Sequence, residues 1–196
     1  VMARLAMRGD RSLPRLFQVP GPLHMEKPVF RTAELSTATT ADYWIATSRA
    51  IVSRYLAAGV SHRRIFLSYA GTDNGRFQRQ RTGWLRRRLG LSSAEFVVGN
   101  ISYIYSPRWY LLQRVGLKCH EDLIEGISLA AEKDRSIRGV LIGGPWGADS
   151  KYFDKLRQYA RKRSGNVVMM PGPLNQEEVA CAIRDFDCVA HVPLSE

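Results

Sequence analysis

The chain has 196 residues, of which 45% are hydrophobic and 24% are charged, and this is the composition of an ordinary globular protein. Its formal net charge of +11 indicates anionic partners: a nucleic acid, an acidic membrane face or a phosphorylated ligand. No apolar run approaches the roughly 18–20 residues that span a membrane, and no signal peptide is recognisable, so a helical membrane protein is excluded for this sequence.

Strand-like and helix-like segments alternate along the first 72 residues, and this alternation predicts a parallel sheet covered by helices. The predicted strands are 15–19, 43–47 and 65–69. Pro28 favours the first turn of a helix that runs toward Thr40. Ser48 is a good N-cap for a second helix, which ends at Gly59.

The segment 72–93 is polar and basic, and it predicts a connection between domains with a surface helix over 84–91. Six arginines lie in it without an intervening acidic residue: Arg76, Arg79, Arg81, Arg86, Arg87 and Arg88. Such a run is typical of a solvated helix face. Contact with anionic lipid head groups and contact with nucleic acid are the two alternatives.

A second alternating series follows. Its predicted strands are 96–104, 139–144, 166–170 and 188–192, and its predicted helices are 121–132, 152–163 and 177–185. The fold class is therefore α/β with two Rossmann-like domains, 1–72 and 73–196. We expect the first domain to be incomplete at its amino end and the second at its carboxyl end, so that this chain alone is inactive.

Glycines at predicted strand ends mark the candidate binding edge: Gly71, Gly143, Gly144 and Gly172. Glycine lets the backbone approach a phosphate or a sugar, and the following helix start offers free N–H groups. The dinucleotide fingerprint, the Walker loop, zinc-type spacing and a nucleophile elbow are all missing from the sequence. These observations favour binding of a nucleotide diphosphate over covalent or metal chemistry.

The three cysteines are Cys119, Cys181 and Cys188, and they have neither metal-type spacing nor a disulfide framework. We expect free thiols that pack as small hydrophobic groups in a reducing cytoplasm.

Five segments resemble, in order, the signatures of family-four glycosyltransferases. The segment 71–77, Gly-Thr-Asp-Asn-Gly-Arg-Phe, resembles the family's G-x-D-x-x-x-F signature, and 118–124, Lys-Cys-His-Glu-Asp-Leu-Ile, resembles its K-G-H-x-x-L-I segment. The segments 141–144 and 170–172 resemble its glycine-ended strands. The last four residues, 193–196, resemble the opening of its E-x7-E motif.

This resemblance implies a GT-B fold and retaining transfer of a sugar from a nucleotide-diphosphate sugar, usually without a bound metal ion or any other cofactor. It implies that Lys118 stabilises the leaving diphosphate and that Glu196 contacts the donor sugar and phosphate region. Gly144 and Gly172 would then bind the donor, and the backbone around Leu174 would hold the base.

Two departures from the family pattern concern the diphosphate. Ser102-Tyr103 replaces the family's Gly-Arg pair, and Cys119 replaces its usual glycine. Our hypothesis is that Arg108 or Arg114, in the longer loop that follows, supplies the missing cation.

Two alternative functions stay open. A sugar-nucleotide epimerase has the same layout but needs paired carboxylates, and no convincing pair is present. A basic α/β module would bind polyanions through the arginine run. For the leading hypothesis we expect a nucleotide-sugar donor and an acceptor that is a glycan, a lipid or a small molecule. We expect a cytoplasmic protein with a peripheral contact to the inner, anionic membrane face, and no specific nucleic acid.

Overall fold

The computed structural model describes residues 1–7, 13–108, 113–147 and 150–194. The described residues form two compact units, Val1–Thr72 (unit one) and Asp73–Leu194 (unit two). Each unit is a parallel sheet with helices packed against it.

Unit one contains a three-stranded parallel sheet in the order β1-β2-β3. The strands are β1 (Arg15–Val19), β2 (Asp42–Ala46) and β3 (Ile65–Leu67). The helical segments are α1 (Met2–Ala6), α2 (Leu23–Glu26), α3 (Pro28–Ser36), α4 (Arg49–Ala57) and a 3₁₀ turn over His62–Arg64. The sequence pattern predicts neither α1, α2 nor the 3₁₀ turn, since each is too short to display a helical period.

The core of unit one combines apolar packing with buried charge. Trp44 and Tyr55 are fully buried, with ring centroids 5.4 Å apart. Arg4 donates to the two carboxylate oxygens of Glu34 at 2.6 and 2.8 Å, and the Trp44 indole N–H donates to Glu34 at 2.9 Å. Burial alone would raise the pKa of Glu34, but the hydrogen bonds from Arg4 and Trp44 lower it to about 2.

A second buried ion pair lies beside the first one. Asp42 is fully buried and accepts a hydrogen bond from Arg15 Nε at 2.5 Å, while Arg4 Nε lies 3.3 Å from its other carboxylate oxygen. Unit one is therefore held together by a charged network beneath its sheet.

Unit two contains a four-stranded parallel sheet in the order β6-β5-β4-β7. The strands are β4 (Phe96–Ile101), β5 (Ile137–Ile142), β6 (Val168–Gly172) and β7 (Cys188–Val189). The helices are α5 (Trp84–Leu89), α6 (His120–Lys133), α7 (Lys151–Ser164) and α8 (Gln176–Arg184). Side chains of α6 and α7 pack on one face of the sheet, and those of α5 and α8 pack on the other.

Local sequence accounts for the helices of unit two. The α6 residues Leu123, Ile124 and Ile127 recur at helical spacing, and all three are buried. At the start of α8, Asn175 and Glu178 form a reciprocal capping box. The predicted strands 96–104 and 188–192 are shorter in the structure, because pairing with the neighbouring strand stops at Ile101 and Val189.

The arginine run is anchored to distant acidic and amide groups. Arg86 Nη2 lies 2.7 Å from Asp187, and Arg81 pairs with the same carboxylate. Arg88 pairs with Glu178 at 3.0 Å, and Arg76 donates to Gln176 at 2.6 Å. Four of the six arginines therefore contact α8 or the turn after it. The predicted solvated helix face is correct for only part of the run.

Asp185 joins the arginine segment to the core of unit two. Its fully buried carboxylate accepts hydrogen bonds from the backbone N–H groups of Thr82 (2.9 Å), Gly83 (2.7 Å) and Leu85 (2.8 Å). These donors lie at the start of α5, so a residue about 100 positions away supplies the cap that the local sequence lacks.

All three cysteines are free thiols. Cys119 is buried and Cys181 is partly buried, but Cys188 is exposed. The expectation that all three pack as small hydrophobic groups is therefore wrong for Cys188, which lies in a short, exposed strand.

Candidate functional site

A cavity of about 360 Å³ opens where β4, β5 and β6 end, and we call it the edge cavity. Its lining residues come from these strand ends and from the start of α8: Ile101, Ser102, Tyr103, Ile142, Gly143, Gly144, Pro173, Leu174, Gln176 and Val179. The chain passes from β4 to β5 to β6 in one direction and then returns to place β7 on the other side of β4. Ligands of open α/β sheets bind at such a reversal, beyond the carboxyl ends of the strands.

Two glycines allow the backbone of neighbouring strands to meet at the edge cavity. Gly143 has φ 153°, and a Cβ on it would lie 1.9 Å from the Ser102 carbonyl oxygen. Gly172 has φ 97°, and its carbonyl oxygen accepts a hydrogen bond from Gly143 N at 3.1 Å. A side chain at Gly143 would therefore force the strand ends apart, whereas a side chain at Gly172 would have room but would strain the left-handed backbone.

A chain of neutral polar groups lies behind the edge cavity. Ser102 Oγ donates to Asn100 Oδ1 at 2.8 Å, and Asn100 Nδ2 donates to the Ala190 carbonyl at 2.7 Å. Since the Ser102 proton is used in this way, Ser102 Oγ accepts from His120 Nε2, which lies 3.0 Å away. The hydrogen-bond directions therefore place the proton of His120 on Nε2.

His120 is 2% exposed and uncharged near neutral pH. Burial lowers its pKa to about 4, and the nearby charges of His191 and Lys118 act in the same direction. The charge of Lys118 is therefore close enough to lower the pKa of His120, which hydrogen-bonds to Ser102 in the wall of the edge cavity.

The turn that carries Lys118 into α6 has an unusual backbone. Cys119 is the N-cap of α6 and has φ 47° and ψ 46°, a left-handed conformation that favours glycine. Cys119 therefore occupies a backbone conformation that glycine adopts at lower cost. Burial raises the pKa of the Cys119 thiol, and the carboxylates of Asp122 and Glu121 raise it further.

The loop before Lys118 is fastened from two sides. Gly116 N donates to the Tyr152 hydroxyl at 3.0 Å, and this hydroxyl donates to the Glu121 carboxylate. Leu194 N donates to the Leu117 carbonyl at 2.9 Å. The last described residues of the chain therefore lie beside the loop of Lys118, while Glu196 lies outside the described residues.

The structure brings some of the predicted site residues together. Gly144 and Leu174 line the edge cavity, and Gly172 lies at the end of β6 that leads into it. Arg108 and Arg114 are exposed and do not line the cavity, and the Arg108 backbone N–H donates to Gln113 Oε1 at 3.1 Å. Their role as replacement cations, like the roles of Lys118 and Glu196, stays a prediction.

Several residues of the site were missed by the sequence reasoning. Val179 and Gln176 enter from α8, and Asn100 and His120 form the polar chain behind the wall. The capping signal at Asn175 could have placed Gln176 at a strand edge. Only three-dimensional contact could join Asn100, Ser102 and His120, because His120 is distant from the other two in sequence.

None of the helices in the described part of the chain is both long enough and apolar enough to cross a membrane. Within 1–7, 13–108, 113–147 and 150–194, no three or more His, Cys, Asp or Glu side chains are grouped so that they could hold a metal ion.

Comparison with known proteins reveals likeness in structure. No protein-family model and no curated protein matches the chain. HepE from Anabaena, solved in complex with UDP-glucose, is 20% identical with a TM-score of 0.74, and the match covers 97% of this chain and 50% of HepE. A glycosyltransferase from Rickettsia africae is 14% identical with a TM-score of 0.69, over 98% of this chain and 48% of that protein. The lipopolysaccharide outer core galactosyltransferase WaaB is 13% identical with a TM-score of 0.53, over 98% of this chain and 53% of WaaB.

These likenesses establish the fold: an α/β chain with parallel Rossmann-like sheets of the GT-B type. The chain spans about half the length of the structures it matches. The predicted fold class is thereby confirmed.

Proposed function

We propose that this chain is part of a family-four-like glycosyltransferase that transfers a sugar, with retention, from a nucleotide-diphosphate sugar to an acceptor. The observation that carries the proposal is the edge cavity, formed by three strand ends and joined through Ser102 and His120 to the loop of Lys118. The likeness to HepE, a protein solved with UDP-glucose, supports a uridine nucleotide as the first donor to test.

In this proposal the two ends of the donor meet different surroundings. The base enters the edge cavity, where Ile142, Leu174 and Val179 supply apolar contact. The diphosphate lies toward Lys118, whose ammonium group stabilises the charge on the departing oxygen. The bond between the sugar C1 and the phosphate oxygen breaks, and its electron pair stays on the diphosphate. The acceptor oxygen bonds to C1 on the same face, and its proton passes to the departing diphosphate oxygen.

The lysine replaces a divalent ion in the proposed reaction. A positive group near the diphosphate contributes most as charge develops on the leaving oxygen, so it lowers the barrier more than it tightens ground-state binding. Glu196 is proposed to contact the donor sugar, and Arg108 or Arg114 is proposed to add a second cation. The acceptor stays open among a glycan, a lipid and a small molecule.

Two observations count against the alternative functions. Four arginines of the basic run already contact acidic or amide groups of unit two, which reduces the charge available to a polyanion. None of the described residues that line the edge cavity is a carboxylate, whereas an epimerase needs an acid and a base at its substrate.

The test is calorimetric titration of the full chain with UDP, GDP, ADP and a DNA duplex. We expect saturable binding of one nucleoside diphosphate. Lys118→Met is expected to weaken this binding about tenfold or more, since a charge-assisted contact contributes roughly 1.5–3 kcal/mol. Lys155→Met, which changes an exposed lysine of α7, is the matched control and is expected to have no effect.

A second pair of variants tests the cavity itself. A Cβ on Gly144 would lie 3.3 Å from Pro173, so Gly144→Val would fill the cavity and abolish nucleotide binding. Gly126→Ala, on the exposed face of α6 where a Cβ meets nothing within 4 Å, is the control. Equal binding of duplex DNA and UDP, with affinity falling steeply with salt, would instead support the polyanion module.

A further inference from the structure

An exposed aromatic group stands at the mouth of the edge cavity. Tyr103 and Trp146 meet edge to face with centroids 4.9 Å apart, and Tyr105 stacks on Trp146 at 5.4 Å with an interplanar angle of 29°. Tyr103 is 58% exposed and Trp146 is 56% exposed. Large aromatic surface left open to water next to a cavity is a typical sign of a binding surface.

The backbone beneath these rings is fixed. Ile104 N donates to the Gly144 carbonyl at 2.9 Å, and Trp146 N donates to the Ile104 carbonyl at 2.9 Å. These bonds continue the pairing of β4 and β5 beyond Ile101 through a bridge between Ile104 and Pro145. The rings of Tyr103 and Trp146 are therefore presented by a rigid strand extension, so little ordering entropy is lost when a ligand binds.

The lining of the edge cavity decides which part of a ligand Tyr103 can meet. Ile101, Ser102 and Tyr103 all line the edge cavity, and the Ser102 hydroxyl also hydrogen-bonds to His120, whose pKa is affected by Lys118. None of the described residues that line the cavity carries a charge, and its walls are largely apolar. This lining suits a flat, weakly polar ring and not a phosphate.

We propose that Tyr103, braced by Trp146, is the surface on which the nucleobase of the donor stacks. The proposal rests on the proposed function and names a residue that binds the base of the donor. The face of the tyrosine ring contacts the face of the base, and Trp146 holds the ring upright through its edge-to-face contact. Stacking is a property of the ring and does not need the tyrosine hydroxyl.

The experiment measures UDP binding to the full chain and to three variants. Stacking of a base on an aromatic side chain predicts that Tyr103→Leu weakens UDP binding by roughly tenfold or more, while Tyr103→Phe binds as the unaltered chain does. Trp146→Leu, which removes the brace, is expected to cause a smaller loss. Tyr69→Leu changes a tyrosine of unit one that is 60% exposed and is the matched control.

A base-free ligand separates the two ends of the site. Inorganic pyrophosphate is added as a competitor against UDP, and its inhibition constant is expected to be unchanged in Tyr103→Leu but raised in Lys118→Met. Retained circular dichroism and an unchanged melting temperature confirm that each variant is folded.

Three results would overturn the stacking proposal: UDP affinity unchanged in Tyr103→Leu, an equal loss in Tyr103→Phe, or a parallel loss of pyrophosphate affinity. The last two would assign Tyr103 a hydroxyl contact to the phosphates. Failure of the unaltered chain to bind any nucleoside diphosphate would be a different result, because it would contradict the proposed function itself.

Discussion

The two units share a parallel α/β plan but handle buried polar groups in opposite ways. Unit one buries charge: Arg4, Glu34, Arg15 and Asp42 are each at most 8% exposed and are paired with one another. In unit two, the chain of groups behind the edge cavity is neutral and links His120, through Ser102, to Asn100. Most ion pairs of unit two lie at partly exposed positions.

The difference shows that the sheet plan does not dictate where charge is placed. Buried charge in unit one satisfies the Trp44 indole and the Tyr55 hydroxyl, both of which donate to Glu34. In unit two, none of the described residues that line the edge cavity is charged, and it is our proposal that Lys118 supplies the positive charge for a diphosphate. If this comparison is correct, breaking an ion pair should matter far more in unit one than in unit two.

The largest effect is expected for Glu34→Gln. Loss of this negative charge leaves Asp42, at 3.3 Å, as the one carboxylate among the described residues that is paired with the buried Arg4, and removal of one partner of a buried ion pair costs about 3–5 kcal/mol. Urea unfolding followed by tryptophan fluorescence measures the free energy of unfolding. The control is Glu26→Gln, whose 3.0 Å pair with Arg54 is partly exposed and should contribute less than about 1 kcal/mol. Equal losses in the two variants would show that burial does not set the cost of removing a charge in unit one.

The second-largest loss of stability is expected at Asp185. Among the described residues of unit two, it has the one carboxylate that is completely buried. Asp185→Ala leaves three backbone N–H groups at the start of α5 without their acceptor, and we expect a loss of about 3 kcal/mol. The matched variant is Asn175→Ala, which removes the exposed local cap of α8 and should cost about 1 kcal/mol. Denaturant titration of both variants checks the ranking, and a smaller loss for Asp185→Ala would contradict it.

The neutral chain of unit two is tested by pH. His120 has a folded pKa of about 4, below its ordinary value of 6.5, so folding favours the uncharged ring. Its contribution to stability is complete above pH 6.5 and is lost as pH falls toward 4. Between pH 7.5 and 5 the loss amounts to about 2 kcal/mol.

His120→Gln keeps a side-chain donor toward Ser102 but cannot take up a proton. Between pH 7.5 and 5, the free energy of unfolding of this variant should therefore fall by about 2 kcal/mol less than that of the unaltered chain. His62→Gln, a change at an exposed position, is the control. A pH profile of His120→Gln that coincides with that of the unaltered chain would show that His120 titrates normally.

The sequence predicted the strands far better than the contacts between them. Each of the seven strands in the described part of the chain has a predicted counterpart, because these strands appear in the sequence as short apolar runs, several of which are followed by glycine or proline. Gly144 and Leu174 both line the edge cavity, since the strand ends of a parallel sheet share one edge, while their role in donor binding stays a prediction. The cap that Asp185 provides for α5 and the partners of the arginine run could not be predicted, since both depend on contacts across roughly 100 residues.

The smallest effect is expected for an exposed pair of unit two. Arg88 Nη1 lies 3.0 Å from Glu178 Oε1, and the two side chains are 47% and 28% exposed. Each group has a second role: Arg88 lies 5.0 Å from the Trp84 ring, and Glu178 accepts a hydrogen bond from Asn175 N. A single substitution would therefore mix the ion pair with these other contacts.

A double-mutant cycle with Arg88→Gln and Glu178→Gln isolates the ion pair, because the amide oxygen introduced by Glu178→Gln could still accept from the Asn175 N–H. We expect a coupling free energy of about 0.2–1 kcal/mol that shrinks as salt is added, since exposed charges are screened by water and ions. A coupling that is several times larger, or insensitive to salt, would mean that the arginine run is fixed to α8 as firmly as Arg4 is fixed to Glu34. The contrast between buried ion pairs in unit one and weak, exposed ion pairs in unit two would then have to be abandoned.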